Sequence, residues 1–146
     1  MEHDPVQRAS HAEAAAPHDD TAARRSLLTA TPNPEGRLDY LVSLSGRLSA
    51  DQGSPITLTI RYVPDRLIVS SAAWMAYTAR LSDHETGTLE SLASVILSDF
   101  ANELVPRWLE VRLRHALPDG GVQAVGMQER QPQWSDAGLA ALLRGE

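Results

Sequence analysis

An α+β domain, in which a four-stranded antiparallel sheet carries two helices on one face, is what this 146-residue sequence predicts. Apolar and polar side chains alternate in two stretches before residue 70 and in two more after residue 107. Between them lie two helix-like segments, the second with apolar residues recurring at three and four. The resulting order is strand, strand, helix, helix, strand, strand (ββααββ). Two antiparallel hairpins flanking a helical pair close into one sheet with its helices on one side.

The elements follow in order. Leu38, Tyr40, Val42 and Leu44 alternate with Asp39, Ser43 and Ser45, as in a half-buried strand. The polar stretch "SADQGSP" is a loop. Ile56, Leu58, Ile60 and Tyr62 then line one face of a second strand, with Thr57, Thr59 and Arg61 on the other. Leu67 to Ser70 extends that strand past a turn or kink at Pro64-Asp65. "SAAWMAYTARL" favours a short helix through its Ala and Met. In the longer helix, Leu89, Leu92, Ala93, Ile96, Phe100, Ala101 and Leu104 form an apolar stripe that Pro106 ends.

Leu109, Val111, Leu113 and His115 alternate with Glu110, Arg112 and Arg114 in a third strand. "LPDGG" is a hairpin turn, and "VQAVGMQER" is the fourth strand. "WSDAGLAALLRGE" reads as a terminal helix capped by Ser135 or Asp136. The domain map is therefore a disordered tail over 1–36, a folded domain over 37–130 and a C-terminal helix over 131–146.

Composition narrows the chemistry. Hydrophobic residues make up 42% of the chain, but a single Phe and 5% aromatics leave the core largely aliphatic. A net charge of −6 argues against nucleic acid or an anionic membrane as partner, because phosphate binding needs clustered Lys and Arg. No cysteine is present, which removes disulfides, thiolate metal sites and thiol nucleophiles. No apolar run reaches the roughly 18 residues of a membrane span. The start "MEHDPVQRASHAEAAAPHDD" has no hydrophobic centre. Arg24-Arg25 is followed by too short an apolar stretch for a twin-arginine export signal. A cytoplasmic location is expected. His3, His11 and His18 share no helical face, so they read as a solvated tail and no metal site is expected.

Several of these segments together carry a resemblance. "ITLTIRYVPDRLIV", the following Tyr77, "ILSDFANELVPRWLEVRL" and the later "DGGV" resemble, in order, the nitrile reductases of queuosine biosynthesis. These are the NADPH-dependent 7-cyano-7-deazaguanine (QueF-type) reductases, of the tunnelling-fold or T-fold group. The resemblance covers roughly residues 37 to 130. It implies a T-fold, with sheets joined edge to edge in a homo-oligomer and ligand sites at subunit boundaries.

The chemistry that the resemblance implies is largely missing. Family members add a cysteine thiolate to the nitrile carbon, protonate nitrogen from a nearby acid, and receive two hydrides from NADPH. The cysteine position here falls near Arg47 and the acid position near Ser54. Ser45 or Ser49 is a poor replacement, since an unactivated hydroxyl yields no nucleophile near neutrality and only Asp51 is close by. The family's glutamate and two lysines before the tyrosine become Ser70, Ala72 and Met75, while Tyr77 remains. An arginine before the paired glycines becomes Asp119. Three lost cations and one added anion leave no NADPH phosphate site, and no cofactor is expected.

At the start of the long helix, the family's Phe-His-Glu aligns with Thr88-Leu89-Glu90, so the histidine is lost and the glutamate kept. In T-fold enzymes that carboxylate grips the amide and amino hydrogens of a purine or pterin ring, a match for an acceptor with two oxygens. The competing explanation is a first-turn glutamate favoured by the helix dipole. A second register would pair His84-Glu85 with the motif, but it leaves the segment after Tyr77 too short.

The expected site is therefore Glu90 and Tyr77 as ligand-binding residues, with no catalytic residue. The expected function is a diverged, catalytically silent homologue that binds a purine- or pterin-like molecule or a partner such as a related reductase subunit. The alternatives are a working NADPH-dependent reductase with remodelled chemistry and a purely structural subunit.

Overall fold

The alternating stretches become strands of one antiparallel sheet. The computed structural model describes residues 20–48, 55–82, 87–135 and 137–144. Its elements are a helical segment over 20–26 (α1), β1 (Ala30–Pro32), β2 (Val42–Leu48), β3 (Ile56–Val63), β4 (Leu67–Val69), α2 (Ser71–Leu81), α3 (Leu89–Leu104), β5 (Trp108–Ala116), β6 (Val122–Arg130) and α4 (Leu139–Arg144). The main sheet runs β2-β3-β5-β6, each neighbour antiparallel. This is the predicted α+β arrangement.

Register puts the apolar set on the helix side. Leu44 faces Ile60, Ile60 faces Val111 and Val111 faces Met127 across the sheet. Leu58, Ile60, Tyr62, Leu109, Val111 and Leu113 are each at most 1% exposed and belong to one core with α2 and α3. α3 contributes six of the seven stripe residues as fully buried groups, Ala101 being only half-buried. The single phenylalanine, Phe100, sits between two other rings edge-on, 6.1 Å from Trp74 and 5.4 Å from Tyr77. Such tilted packing suits the ring quadrupoles.

Both helices start on hydroxyl caps. Ser70 accepts the Ala73 N–H at 3.1 Å, and Thr88 accepts the Ser91 N–H at 3.0 Å, each satisfying one donor the first turn leaves free. α3 stops at Val105, whose φ of 45° is left-handed, with Pro106 following. A β-branched residue is strained in that region.

The structure revises four local expectations. Leu67–Val69 does not prolong β3; it leaves the main sheet and pairs with β1, Pro32 opposite Leu67 and Ala30 opposite Val69. β3 ends because Pro64 has no N–H, while the Val63 carbonyl accepts from Arg107 at 2.8 Å. The first strand begins at Val42 rather than Leu38, which is 55% exposed. The terminal helix begins at Leu139 and buries no residue; Ser135 accepts the Ala137 N–H outside it, and Asp136 lies outside the described residues.

The fourth revision concerns the expected tail. Residues 20–36 pack onto the domain, with Leu28 2% and Arg24 3% exposed. Arg107 fastens the end of this segment by donating to the Leu38 and Gly36 carbonyls and to Asp39 and Asp65. The Asn33 amide donates to the Asp65 carbonyl, and the Tyr40 hydroxyl donates to the Asn33 side chain. Residues 1–19, with His3, His11 and His18, lie outside the described residues.

Candidate functional site

Glu90 on α3 and Tyr77 on α2, the two residues the resemblance singles out, are not brought together. Glu90 is in its first turn, two residues after the Thr88 cap, and is exposed. The helix dipole favours an anion there. Its carboxylate makes no hydrogen bond or ion pair with any described residue. Leu89, at the position of the family's histidine, turns the other way and is 8% exposed in the core. Glu90 is thus a solvent-facing acceptor able to receive two N–H donors from a ligand edge.

Tyr77 is elsewhere and is occupied. It is fully buried, and its hydroxyl donates to Asp99 Oδ2 at 2.7 Å. Asp99 lies nine residues beyond Glu90 in α3, about 13 Å along the axis at roughly 1.5 Å per residue. A ligand gripped by Glu90 therefore does not reach the Tyr77 hydroxyl. Tyr77 supports the packing of α2 on α3 from within.

Asp99 is the centre of a buried polar cluster that the sequence reading did not find. Arg24 Nε donates to Asp99 Oδ2 at 2.8 Å, and Arg25 Nε donates to Oδ1 at 2.9 Å. Arg24 also pairs with Asp20 at 2.9 Å, which in turn binds Arg80 at 2.7 Å. Burial by itself would lower the Arg24 pKa, but the bond and charge of Asp99, with Asp20, hold it above the usual value. The Tyr77 hydroxyl is pushed far up, first by burial and then by the Asp99 charge and hydrogen bond. This arrangement can fix charge and position, with Asp99 and the Tyr77 hydroxyl wholly buried at its centre. A signal was present in Asp99, a carboxylate beside Phe100 on the apolar side of α3, and in the paired arginines. Their separation of about 75 residues hid the match.

The positions at which the resemblance places the family's chemical groups have local roles. Arg47 is exposed near the end of β2. The Ser45 hydroxyl sits 3.1 Å from that of Thr59, with no base beside it among the described residues. Ser70 is the α2 cap, while Ala72 and Met75 are exposed on that helix, Met75 by 66%. Asp119 accepts the Gly121 N–H at 2.9 Å inside the β5–β6 turn, where Gly120 has φ +94°. A short acceptor is what that turn uses. Ser49, Asp51, Ser54, His84 and Glu85 lie outside the described residues. So the second register, through His84-Glu85, has no described geometry.

One further polar atom is unpaired. His115 lies on the helix side of β5, opposite Ile56 and Gln123. Its Nε2 is buried with no partner among the described residues. Those residues also contain no group of three or more His, Cys, Asp or Glu able to hold a metal ion. None of their helices is long and apolar enough to cross a membrane.

Comparison with known proteins agrees with this architecture. No family model matches the chain. It is 31% identical over 104 residues to the NADPH-dependent 7-cyano-7-deazaguanine reductase of Desulfovibrio desulfuricans, an alignment covering 67% of this chain and 61% of that protein. The chain thus spans about three-fifths of its relative's length. Among solved structures, the apo form of an archaeosine synthase QueF-like protein superposes with a TM-score of 0.50 at 15% identity, over 63% of this chain and 95% of that one. The structural likeness speaks for the T-fold, and the sequence likeness for descent. The chain is a QueF-like protein, related in sequence to the NADPH-dependent 7-cyano-7-deazaguanine reductases.

Proposed function

We propose that this chain is a catalytically silent QueF-like protein that binds a planar purine- or pterin-like ring, with Glu90 as its anchor. The observation that carries the silent reading is the residue at the nucleophile's position. Arg47 stands there, exposed on β2, in a chain that contains no cysteine. A thiolate is what a nitrile carbon would need for covalent addition, and the nearby Ser45 hydroxyl is paired with Thr59 rather than with a base that could activate it. The ring-binding reading is supported by the exposed, unpartnered carboxylate at the start of α3.

The same reading includes assembly. β2 and β6 are the outer strands of the main sheet, and each has one edge without a partner among the described residues. Open edges invite pairing, and a ring of copies joined edge to edge removes them. Glu90 would then be completed as a site by a neighbouring copy or by a related reductase subunit. Light scattering across micromolar concentrations should give a multiple of the 15.9 kDa chain mass; a monomeric mass throughout would remove the ring.

The decisive test is activity. Purified protein with NADPH and 7-cyano-7-deazaguanine should consume no NADPH above a protein-free control. Turnover that disappears in Glu90→Ala would overturn the silent reading in favour of a remodelled reductase.

A further inference from the structure

From the face of the sheet turned away from the helices, we infer that this protein has a second binding site, for a small molecule bearing a di- or triphosphate group. Across that face, Arg47 lies opposite Thr57, Thr57 opposite Arg114, and Arg114 opposite Ala124. The next row holds Ser45, Thr59, Arg112 and Gly126. Arg47, Arg112 and Arg114 are exposed, and none makes an ion pair or side-chain hydrogen bond with a described residue. The neighbouring Arg61 differs, being neutralised by Glu110 at 2.6 Å.

Arg112 and Arg114 are two residues apart on one strand, so their stems stand only about 7 Å apart on the same side. Like charges so placed repel, and a bound anion relieves that repulsion. The small residues Thr57, Thr59, Ala124 and Gly126 floor a hollow of about 410 Å³ that Arg61, Arg112 and Arg114 also line. That volume is in the range of small-ligand pockets, about 300–1,000 Å³. Guanidinium forks match phosphate oxygens in pairs, and threonine hydroxyls can donate beside them. No aromatic side chain lines the hollow, so there is nothing for a base to stack on and the phosphates are what is recognised. The chain's overall charge of −6 disfavours a long polyanion such as RNA, whereas a compact phosphate group meets only the local positive field. This site is independent of Glu90 and does not rest on the silent reading.

Calorimetry with inorganic triphosphate, ATP and a mixed-sequence RNA oligonucleotide tests it. Triphosphate and ATP should bind with similar affinity, weakening as salt is raised. Arg112→Ala with Arg114→Ala should cost at least about tenfold, by loss of charge-assisted hydrogen bonds. Both side chains are exposed, so a melting curve like that of the wild type should accompany the loss. Gly126→Leu fills the hollow without altering charge; a Cβ there meets nothing within 4 Å, so the fold accepts it, and it too should weaken triphosphate binding. Arg144→Ala, on α4, should leave affinity unchanged. No binding of triphosphate or ATP, undiminished binding in the double variant, equal losses in Arg144→Ala, or binding of RNA alone would each overturn the site.

Discussion

The two ends of α3 carry carboxylates with opposite fates. At the start, Glu90 is exposed and unpaired; nine residues later, Asp99 is wholly buried and receives Tyr77, Arg24 and Arg25. The difference is one of helical phase. Glu90 falls one residue after the buried Leu89, whereas Asp99 falls among Ile96, Phe100 and Leu104 on the side that meets α2 and α1. A carboxylate on that side must be paired, because an isolated buried charge is prohibitively costly. Family resemblance singled out Glu90 and Tyr77 alike, but the structure commits Tyr77 to the buried end. A retained residue can mark packing as readily as binding.

The largest expected effect comes from breaking the buried end. Asp99→Ala strands Arg24 without its main counter-charge and leaves the Tyr77 hydroxyl unpaired. Removing one partner of a buried pair costs about 3–5 kcal/mol, a large share of a typical domain's stability. The melting temperature should fall by on the order of 10 °C or more. A double-mutant cycle of Arg24→Ala with Asp99→Ala should show strong coupling between the two sites. Simple additivity would mean that α1 is not tied to the domain through this bond, and the contrast between the ends of α3 would collapse.

Tyr77→Phe is a milder cut at the same end. It removes one hydrogen bond to a charged group and should cost about 1.5–3 kcal/mol. It should also change the alkaline limb of the stability curve. Burial and Asp99 raise the folded-state pKa of Tyr77 above its ordinary 10.0, so the folded form keeps a proton that the unfolded chain releases. Stability is therefore fully present below about pH 10 and declines as pH rises beyond it. The Tyr62 hydroxyl, raised mainly by burial, shifts the same way. Urea melts across this range should show a shallower decline for Tyr77→Phe than for the wild type. An unchanged slope would remove Tyr77 from the account.

What was legible in the sequence divides along similar lines. Strict alternation gave β3 and β5 their faces, and the three-four spacing gave α3 its buried side, because each pattern is local. The α2 segment was legible from its own Ala and Met content, whereas its Ser70 cap was found only in the structure. The folding of residues 20–36 was not. Its order depends on pairs such as Arg24 with Asp99 and Ala30 with Val69, which no window of a dozen residues contains. Ala, Asp and Pro in that stretch looked like a tail because the apolar contribution, chiefly Leu28, is small. For the site, Glu90 was found by alignment, whereas the arginines of the open sheet face were visible only as the polar half of a strand pattern. Their lack of partners is a property of the sheet, not of the segment.

The smallest expected effect on stability belongs to Glu90, and that is what makes it the sharpest test of the exposed end. Its carboxylate has no described partner to lose, so Glu90→Ala should forfeit only its interaction with the helix dipole, about 0.3–1 kcal/mol. Binding should respond very differently. If Glu90 accepts two N–H bonds from a purine- or pterin-like ring, the loss should exceed about tenfold in affinity, the equivalent of roughly 1.4 kcal/mol. Glu90→Gln should do similar damage, because an amide offers one acceptor oxygen and turns a donor toward the ring's other N–H. Tyr77→Phe, acting about 13 Å along the helix, should leave that affinity nearly intact. Calorimetry with a heterocycle that binds the wild type and Glu90→Ala equally well would reduce Glu90 to an ordinary first-turn glutamate. A ligand lost equally in Tyr77→Phe would instead mean that the two ends of α3 are coupled through the core.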